Sequence, residues 1–261
     1  MPMDPIHGRA GLRPEHGPLF IVVGVFDGLH RGHAYLLEHL RLQGWARGAR
    51  PTVVTFDAHP DAVLTGHAPP LLMDPDERLA RFADSGVEVV VIEHFDDELR
   101  KTEYDTFVHG IAARAPVAGF LMTPESAFGH DRRGTAEALA ELGERDGFEV
   151  VVVPPFALDG REVRSSEIRS AISAGDLETA ERLLGRPYGV TGASGHDGVM
   201  AFPMPVALPP PGDYRVTVEA AAERLDGGAT AAAAVTPDGV RLVGSDLAGR
   251  LRVVFIEGAG V

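Results

Sequence analysis

The chain has 261 residues, 44% hydrophobic and 24% charged, which is the balance of a globular protein with room for one large domain or two smaller ones. A formal net charge of −14 argues against a general nucleic-acid binder, which needs a basic face, although a few local Arg, His and backbone N–H groups can still hold a phosphate. The absence of cysteine excludes a disulfide frame and thiolate chemistry, and no apolar run approaches the ~20 residues of a membrane helix.

The first stretch, "MPMDPIHGRAGLRPEHGP", lacks the apolar centre of a signal peptide. It reads as a mobile polar arm over residues 1–17, and a cytoplasmic protein with no membrane partner is expected. "LFIVVG" (19–24) then reads as a buried strand, followed by a helix around 33–46 and a second strand, "PTVVTF" (51–56). "DPDERLARFADSG" (74–86) is helical, with Leu79 and Phe82 at helical spacing. The strand "VEVVVIEHF", the helix "TEYDTFVHGIAAR" and the strand "VAGFLM" come next. The helix "GTAEALAELGERDG" leads to a further strand, "FEVVVVPPF". Near-continuous Val/Ile/Leu strands alternating with amphipathic helices predict a doubly wound, Rossmann-like α/β domain: a parallel sheet with helices on both faces.

Two more helices follow, "SSEIRSAISAG" and "DLETAERLLG", stopped by Gly175 and Gly185, with Asp176 as a cap for the second. From residue 189 the texture changes. Gly and Pro thicken, and short strand candidates appear in "YRVTVEAAA", "ATAAAAVTP", "GVRLVGS" and "LRVVFIE", with turn signals at Asp226-Gly227 and Asp238-Gly239. A small antiparallel β module over 189–261 is expected, and no fixed-period repeat is present.

The chemistry concentrates in "GVFDGLHRGH", Gly24 to His33, where the first strand turns into a helix. Residues three apart at a helix start share a face, so His30 and His33 can point at one ligand. Gly32 allows close approach to the backbone, and the free N–H groups of a helix start favour an anion. The set suits a phosphate chain whose charge grows in a transition state. Two surface histidines beside a tight turn are the plain alternative, and a zinc pair is another, although two histidines fall short of the usual three or four ligands.

This stretch resembles the H-x-G-H nucleotidyltransferase signature, most closely in the adenylyltransferase half of bacterial FAD synthetases, the bifunctional riboflavin kinase/FMN adenylyltransferases. Their longer signature, G-x-F-D-G-x-H-x-G-H, is matched at Gly24, Phe26, Asp27, Gly28, His30, Gly32 and His33. "VVTFDAHP" is similar to T-F-x-P-H-P, with Thr55, Phe56, His59 and Pro60 in place and Ala58 for the first proline. "FGHDRRG" is similar to F-G-x-x-R-x-G through Phe128, Gly129, Arg132 and Gly134. "VRSSEIR" is similar to V-S-S-T-x-I-R, with Ser165 at the second serine, Ser166 at the threonine, and Ile168 and Arg169 matching. "GDLETAERLLGRPY" resembles the helix that ends the adenylyltransferase module.

The resemblance implies a nucleotidyltransferase domain over 18–188 that takes a nucleoside triphosphate and a phosphate acceptor such as FMN, with Mg²⁺. On it, His30, His33 and Arg169 are the catalytic residues, and Gly24, Phe26, Asp27, Gly28, Gly32, Ser165, Ser166 and Arg169 bind the nucleotide. Phe56, His59, Pro60, Glu125, Phe128 and Arg132 bind the acceptor. Read from the residues alone, Ser165 can be a plain N-cap, His59 a loop histidine, and Asp27 either a cap of the Gly-rich turn or an indirect, weak metal residue.

Two departures limit the resemblance. Where many members read G-x-D-F-x-F-G, this chain has Thr123, Glu125 and Ser126 for the glycine, the acid or amide and the first phenylalanine, so an aromatic cover for a flavin ring is lost. In the C-terminal module the kinase motif G-F-P-T-A-N has become "AFPMPVAL", with Met204 and Val206 in place of oxygen-bearing Thr and Asn. The module over 189–261 is therefore expected to be a degenerate riboflavin-kinase-like remnant without kinase activity that covers the α/β domain or mediates self-association as a homo-oligomer.

Overall fold

The structure is a computed structural model and describes residues 5–220, 229–244 and 247–258. The chain forms two compact units. One contains the chain up to Phe26 with Gly32–Pro69 and Leu79–Ala157. The other contains Asp27–Arg31, Pro70–Arg78 and the chain from Leu158 onward. The boundary expected at 188/189 thus falls near 157, and two short stretches of the first half of the sequence belong to the second unit.

The first unit is built on six parallel strands: β1 (Ile6–His7), β2 (Leu19–Val23), β3 (Arg50–Phe56), β4 (Val89–Glu93), β5 (Val117–Met122) and β6 (Glu149–Val152). Their order is β1-β4-β3-β2-β5-β6. The helices of this half of the chain are α1 (Arg31–Ala46), α2 (Asp61–Leu64), α3 (Pro75–Asp84), α4 (Asp97–Arg100), α5 (Tyr104–Ala112) and α6 (Ala136–Asp146). Alternation along β2 splits its side chains between the two faces. Leu19 and Ile21 join Phe107, Val108 and Ile111 of α5 and Leu139 and Leu142 of α6 in one buried cluster. On the other face Gly44 of α1 lies close to Phe20, and the Arg47 guanidinium stands 5.1 Å from the Phe20 ring centroid. The expected doubly wound α/β domain is therefore present.

The direction of winding reverses between β2 and β5, because β3 and β4 are laid down on one side of β2 and β5 and β6 on the other. Such a switch point opens a crevice at the carboxyl ends of the strands. The chain leaves the sheet there into "GVFDGLHRGH".

The expected free arm is a correction from residue 5 onward. Ile6–His7 pairs with Val91–Ile92 of β4, Leu12 is buried, and Arg9 holds the buried Glu93 carboxylate at 2.8 Å. An edge strand offers unpaired backbone groups and recruits a short segment without needing a strong strand sequence.

The second unit opens with the hairpin strand β8 (Arg161–Glu162), which pairs with β7 (Ala157–Leu158), and continues with α7 (Ser165–Ser173) and α8 (Leu177–Leu184). Asp176 caps α8 by accepting from the Thr179 amide, and Gly185 ends it with φ 79°, both as expected. Six antiparallel strands follow: β9 (Gly189–Ser194), β10 (Met200–Ala201), β11 (Gly212–Ala220), β12 (Ala229–Thr236), β13 (Gly239–Val243) and β14 (Gly249–Gly258), in the order β10-β9-β14-β11-β12-β13. A bridge between Val199 and Arg241 and a Leu242 N–H bond to the Gly198 carbonyl join the two ends into a barrel. Val216, Ala233, Val240 and Val253 are fully buried within it. The Asp238-Gly239 turn lies between β12 and β13, and the Asp226-Gly227 turn lies outside the described residues.

β9 was hidden in the Gly-rich run "GVTGASGHDG". At Gly192 a Cβ would meet the Ala201 carbonyl oxygen at 2.8 Å and the Phe202 ring at 2.9 Å. Glycine is required there by close approach, and it erases the hydrophobic alternation that marks a strand.

Candidate active site

Asp27 organises the site in the second unit. The turn that carries it is tightly coiled: Phe26, Gly28 and Leu29 all have positive φ, at 56°, 79° and 36°. Gly28 needs its lack of a side chain, since a Cβ would stand 2.9 Å from Leu72. The Asp27 carboxylate is buried and accepts the Leu72 amide at 3.0 and 3.1 Å. Arg169 of α7 donates to the same carboxylate at 2.6 Å and, through Nε, to the Pro70 carbonyl at 2.8 Å. Ser165 donates its hydroxyl to the Asp27 carbonyl at 3.1 Å. Asp27, Leu72, Ser165 and Arg169, far apart in the chain, are thus one hydrogen-bonded group.

His30 lies beside them, 5% exposed. Its pKa is lowered from 6.5 to about 4, first by burial and then by the positive charges of Arg186 and Arg169. At neutral pH the imidazole is uncharged and acts as a hydrogen-bond donor and acceptor rather than as a cation. Arg186 was missed in the sequence. Its guanidinium donates to the Gly28 carbonyl at 2.6 Å and the Leu29 carbonyl at 3.1 Å, fixing the turn from outside. The signal for it was slight: an arginine between the α8 stop glycine and a proline.

The structure gives surroundings to three of the assigned residues. The Asp27 carboxylate, assigned a weak metal role, is taken up by Leu72 and Arg169. Among the described residues no group of three or more His, Cys, Asp or Glu side chains is placed to hold a metal ion. Ser165 is not the N-cap of α7; Arg164 holds that position and makes no side-chain cap, while Ser165 is the first helical residue. Ser166 is separated from Ser165 by about 100° of helix rotation, and it lines an open cleft of about 500 Å³ with Ser170, Thr179 and Arg182.

In the first unit, Gly24 donates its amide to the Val54 carbonyl at 3.0 Å, and the buried Phe26 ring packs edge-on against Phe82 at 5.4 Å. Gly32 and His33 lie in the first turn of α1, and the His33 ring stands 5.1 Å from that of Phe26.

The residues assigned to the acceptor occupy two loops at the carboxyl edge of the sheet. After β3, Phe56 packs on Phe95 at 5.2 Å, and His59 accepts the Asp61 amide at 3.2 Å beside Pro60. After β5, Ser126 accepts the Thr123 amide at 2.9 Å, a local turn formed by two of the substituted residues. Arg132, at φ 56°, donates to the carbonyl of the exposed Glu125 at 2.9 Å. Phe128 is partly buried: its ring packs on Phe107 at 5.6 Å and on Phe120 at 6.1 Å, against the sheet's main cluster.

The chain is similar to known proteins along most of its length. A protein bifunctional as riboflavin kinase and FMN adenylyltransferase from Pseudomonas fluorescens is 33% identical over 200 residues, covering 76% of this chain and 64% of its own length. The protein so described in Escherichia coli K12 is 30% identical over 185 residues, covering 70% and 59%. The chain thus spans less than two thirds of these relatives. A Bacillus subtilis protein of the same description is 26% identical over 239 residues, covering 85% of this chain and 74% of its own. Among solved structures, one described as a macrolide-efflux protein from Streptococcus pneumoniae shares the fold, with a TM-score of 0.80 and 21% identity over 98% of this chain and 90% of that one. The family model for FAD synthetase matches residues 12–167, which hold the whole H-x-G-H stretch and the start of α7, and the chain belongs to the FAD synthetase family.

Proposed function

We propose that the protein is a nucleotidyltransferase that moves a nucleoside monophosphate from a triphosphate to a phosphate acceptor, with ATP and FMN as the leading pair and FAD as the product. An oxygen of the acceptor phosphate attacks the α-phosphorus and forms a new P–O bond. The bond from the α-phosphorus to the bridging oxygen breaks, and pyrophosphate leaves with the electron pair. No protein nucleophile is needed, so the work is positioning and charge stabilisation.

The observation that carries this reading is the buried His30 next to a glycine turn at Asp27–Gly28 that Ser165, Arg169 and Arg186 hold by hydrogen bonds. His30 and His33 donate N–H to the phosphates around the reacting centre. Arg169 and the Ser165 hydroxyl meet the leaving pyrophosphate by exchanging some of their present partners for it, and Arg186 keeps the turn in shape. The two guanidiniums that disfavour a charged His30 are offset once a polyphosphate is bound. Among the described residues no side chains form a cage for a divalent ion, so magnesium would enter as the chelate of the triphosphate.

A second reading keeps the chemistry and changes the acceptor. Thr123 and Ser126 close on each other, and the partly buried Phe128 ring is engaged with Phe107 and Phe120, so the loop after β5 offers little aromatic cover for a flavin. An adenylyl- or cytidylyltransferase acting on another small phosphate or phosphonate fits that loop. We also propose that riboflavin kinase activity is absent, because Met204 and Val206 carry no oxygen ligand.

The test is pyrophosphate release from ATP, CTP, GTP and UTP crossed with FMN and a panel of phosphates and phosphonates, with magnesium. FAD from ATP and FMN supports the leading pair, and release with another pair alone moves the assignment to the second reading. Nucleotide binding without release from any pair refutes transfer. Phosphorylation of riboflavin by ATP would refute the loss of kinase activity.

A further inference from the structure

Residues 70–77 touch two things at once. On one side they meet the β module of their own unit. Leu71 pairs in parallel with Val206, donating its amide to the Pro205 carbonyl at 2.8 Å and accepting the Ala207 amide at 2.9 Å. Arg250 of β14 pairs with Asp74 and, at 2.9 Å, with Asp76. Arg252 of the same strand pairs with Glu77 at 3.3 Å. On the other side the segment meets the site: the Leu72 amide bonds the Asp27 carboxylate, and the Pro70 carbonyl takes Arg169 Nε.

We infer that this segment is a strap through which the β module positions the Asp27–Arg169 pair, which makes Arg250 and Asp74 positioning residues for the H-x-G-H site. The inference rests on the reading that this site binds and transfers a nucleotide.

The geometry of an extended chain supports it. Successive amides of such a chain point to opposite sides, so Leu71 pairs with the module while Leu72, the next residue, pairs with Asp27. The peptide plane between them is rigid, and a shift of Leu71 is passed on to Leu72. Leu72 and Met73 are buried, which leaves the strap little freedom to absorb that shift. The Asp74 carboxylate also accepts the Asp76 and Glu77 amides at the start of α3, so Arg250 grips the point where strap becomes helix. This account gives a use to the altered "AFPMPVAL" segment. The residues on either side of Val206, where the kinase motif has asparagine, supply the backbone that holds Leu71: the Pro205 carbonyl and the Ala207 amide.

The test uses the full chain with Arg250→Ala and, as the conservative variant, Arg250→Lys. Amide exchange at Leu72 is read by NMR, and pyrophosphate release gives kcat and the nucleotide KM. Arg250→Ala is expected to speed Leu72 exchange roughly tenfold and to raise the nucleotide KM about fivefold, with Arg250→Lys restoring most of both. In an Asp27→Asn background, Arg250→Ala is expected to add little further change in KM, since the pair it acts through is already broken. Unchanged Leu72 exchange overturns the strap, and so does an equal KM effect in both backgrounds. If Arg250→Ala loses the fold, Asp76→Asn, which removes only the exposed partner, takes its place with the same signs at smaller size. Failure of every substrate pair to release pyrophosphate would refute the transferase reading, while Leu72 exchange would still decide the strap.

Discussion

Acidification should weaken this protein through His30, and the size follows from its surroundings. In the unfolded chain the imidazole takes a proton near pH 6.5, whereas in the folded site it does so only near pH 4. Between those values the unfolded state holds one more proton, so stability falls as pH falls through that window and is unaffected by this group above it. At about 1.4 kcal/mol for each pH unit, the full loss approaches ~3 kcal/mol and levels off once the folded state is protonated too. Burial is the first cause, and the guanidiniums of Arg186 and Arg169 add to it. Urea unfolding at pH 7.0, 5.5 and 4.5 measures the slope, and His30→Gln should flatten the share due to this side chain. The titration itself is visible in the imidazole carbon shifts by NMR. Replacing Arg186 by Gln should move the midpoint upward, because one positive charge is gone. Triphosphate binding should move it upward as well, with proton uptake at pH 5.5 that shows in calorimetry as a heat dependent on the buffer. A midpoint near 6.5 in the free protein would refute the depression of the His30 pKa by burial and by the two guanidiniums, and with it this pH dependence.

Three further outcomes follow from the same geometry. Asp27→Asn leaves Arg169 without its carboxylate in a site where both side chains are largely buried, and should cost about 3 kcal/mol in urea unfolding; a loss under ~0.5 kcal/mol would mean that the pair is not a structural element. Gly28→Ala puts a Cβ against Leu72 at a φ of 79° and should cost roughly 1–2 kcal/mol while raising the nucleotide KM, so a neutral result in both would show that the turn is free to relax. Phe128→Ala should lower stability by about 2 kcal/mol and leave the KM of the acceptor within about twofold, since its partly buried ring packs on Phe107 and Phe120; a large rise in that KM at unchanged stability would assign Phe128 to the acceptor site.

What could be read from the sequence depended on how local each cause is. The Val-rich strands and the caps at Asp176 and Gly185 rest on patterns a few residues long, and they stand where they were expected. β9 was missed because its glycines serve close approach and hide the alternation. The short β1 was missed because its cause is the open edge of β4, not its own residues. The site divides in the same way. Its matched residues were legible as types, but not in their partners. Asp27 and Arg169 were both assigned to the ligand, and in the folded chain each is the other's partner. Arg186 acts on the carbonyls of Gly28 and Leu29, groups common to every residue, so nothing in the sequence marks the acceptors.

The proposed absence of kinase activity, with Met204 and Val206 at the motif positions, then takes on a different meaning. A module without its oxygen ligands would be free to erode if catalysis of its own were its sole use. Here its backbone at Pro205–Ala207 and its charges at Arg250 and Arg252 are tied to residues 71–77, and through Leu72 to the carboxylate that orients Arg169. Side-chain chemistry can be lost at Met204 and Val206 while the backbone bonds of the same segment are kept, because any residue other than proline supplies the same N–H and C=O. Substitution of the motif and retention of the fold are therefore compatible, and the constraint on this module falls on its strand pairing and its two arginines.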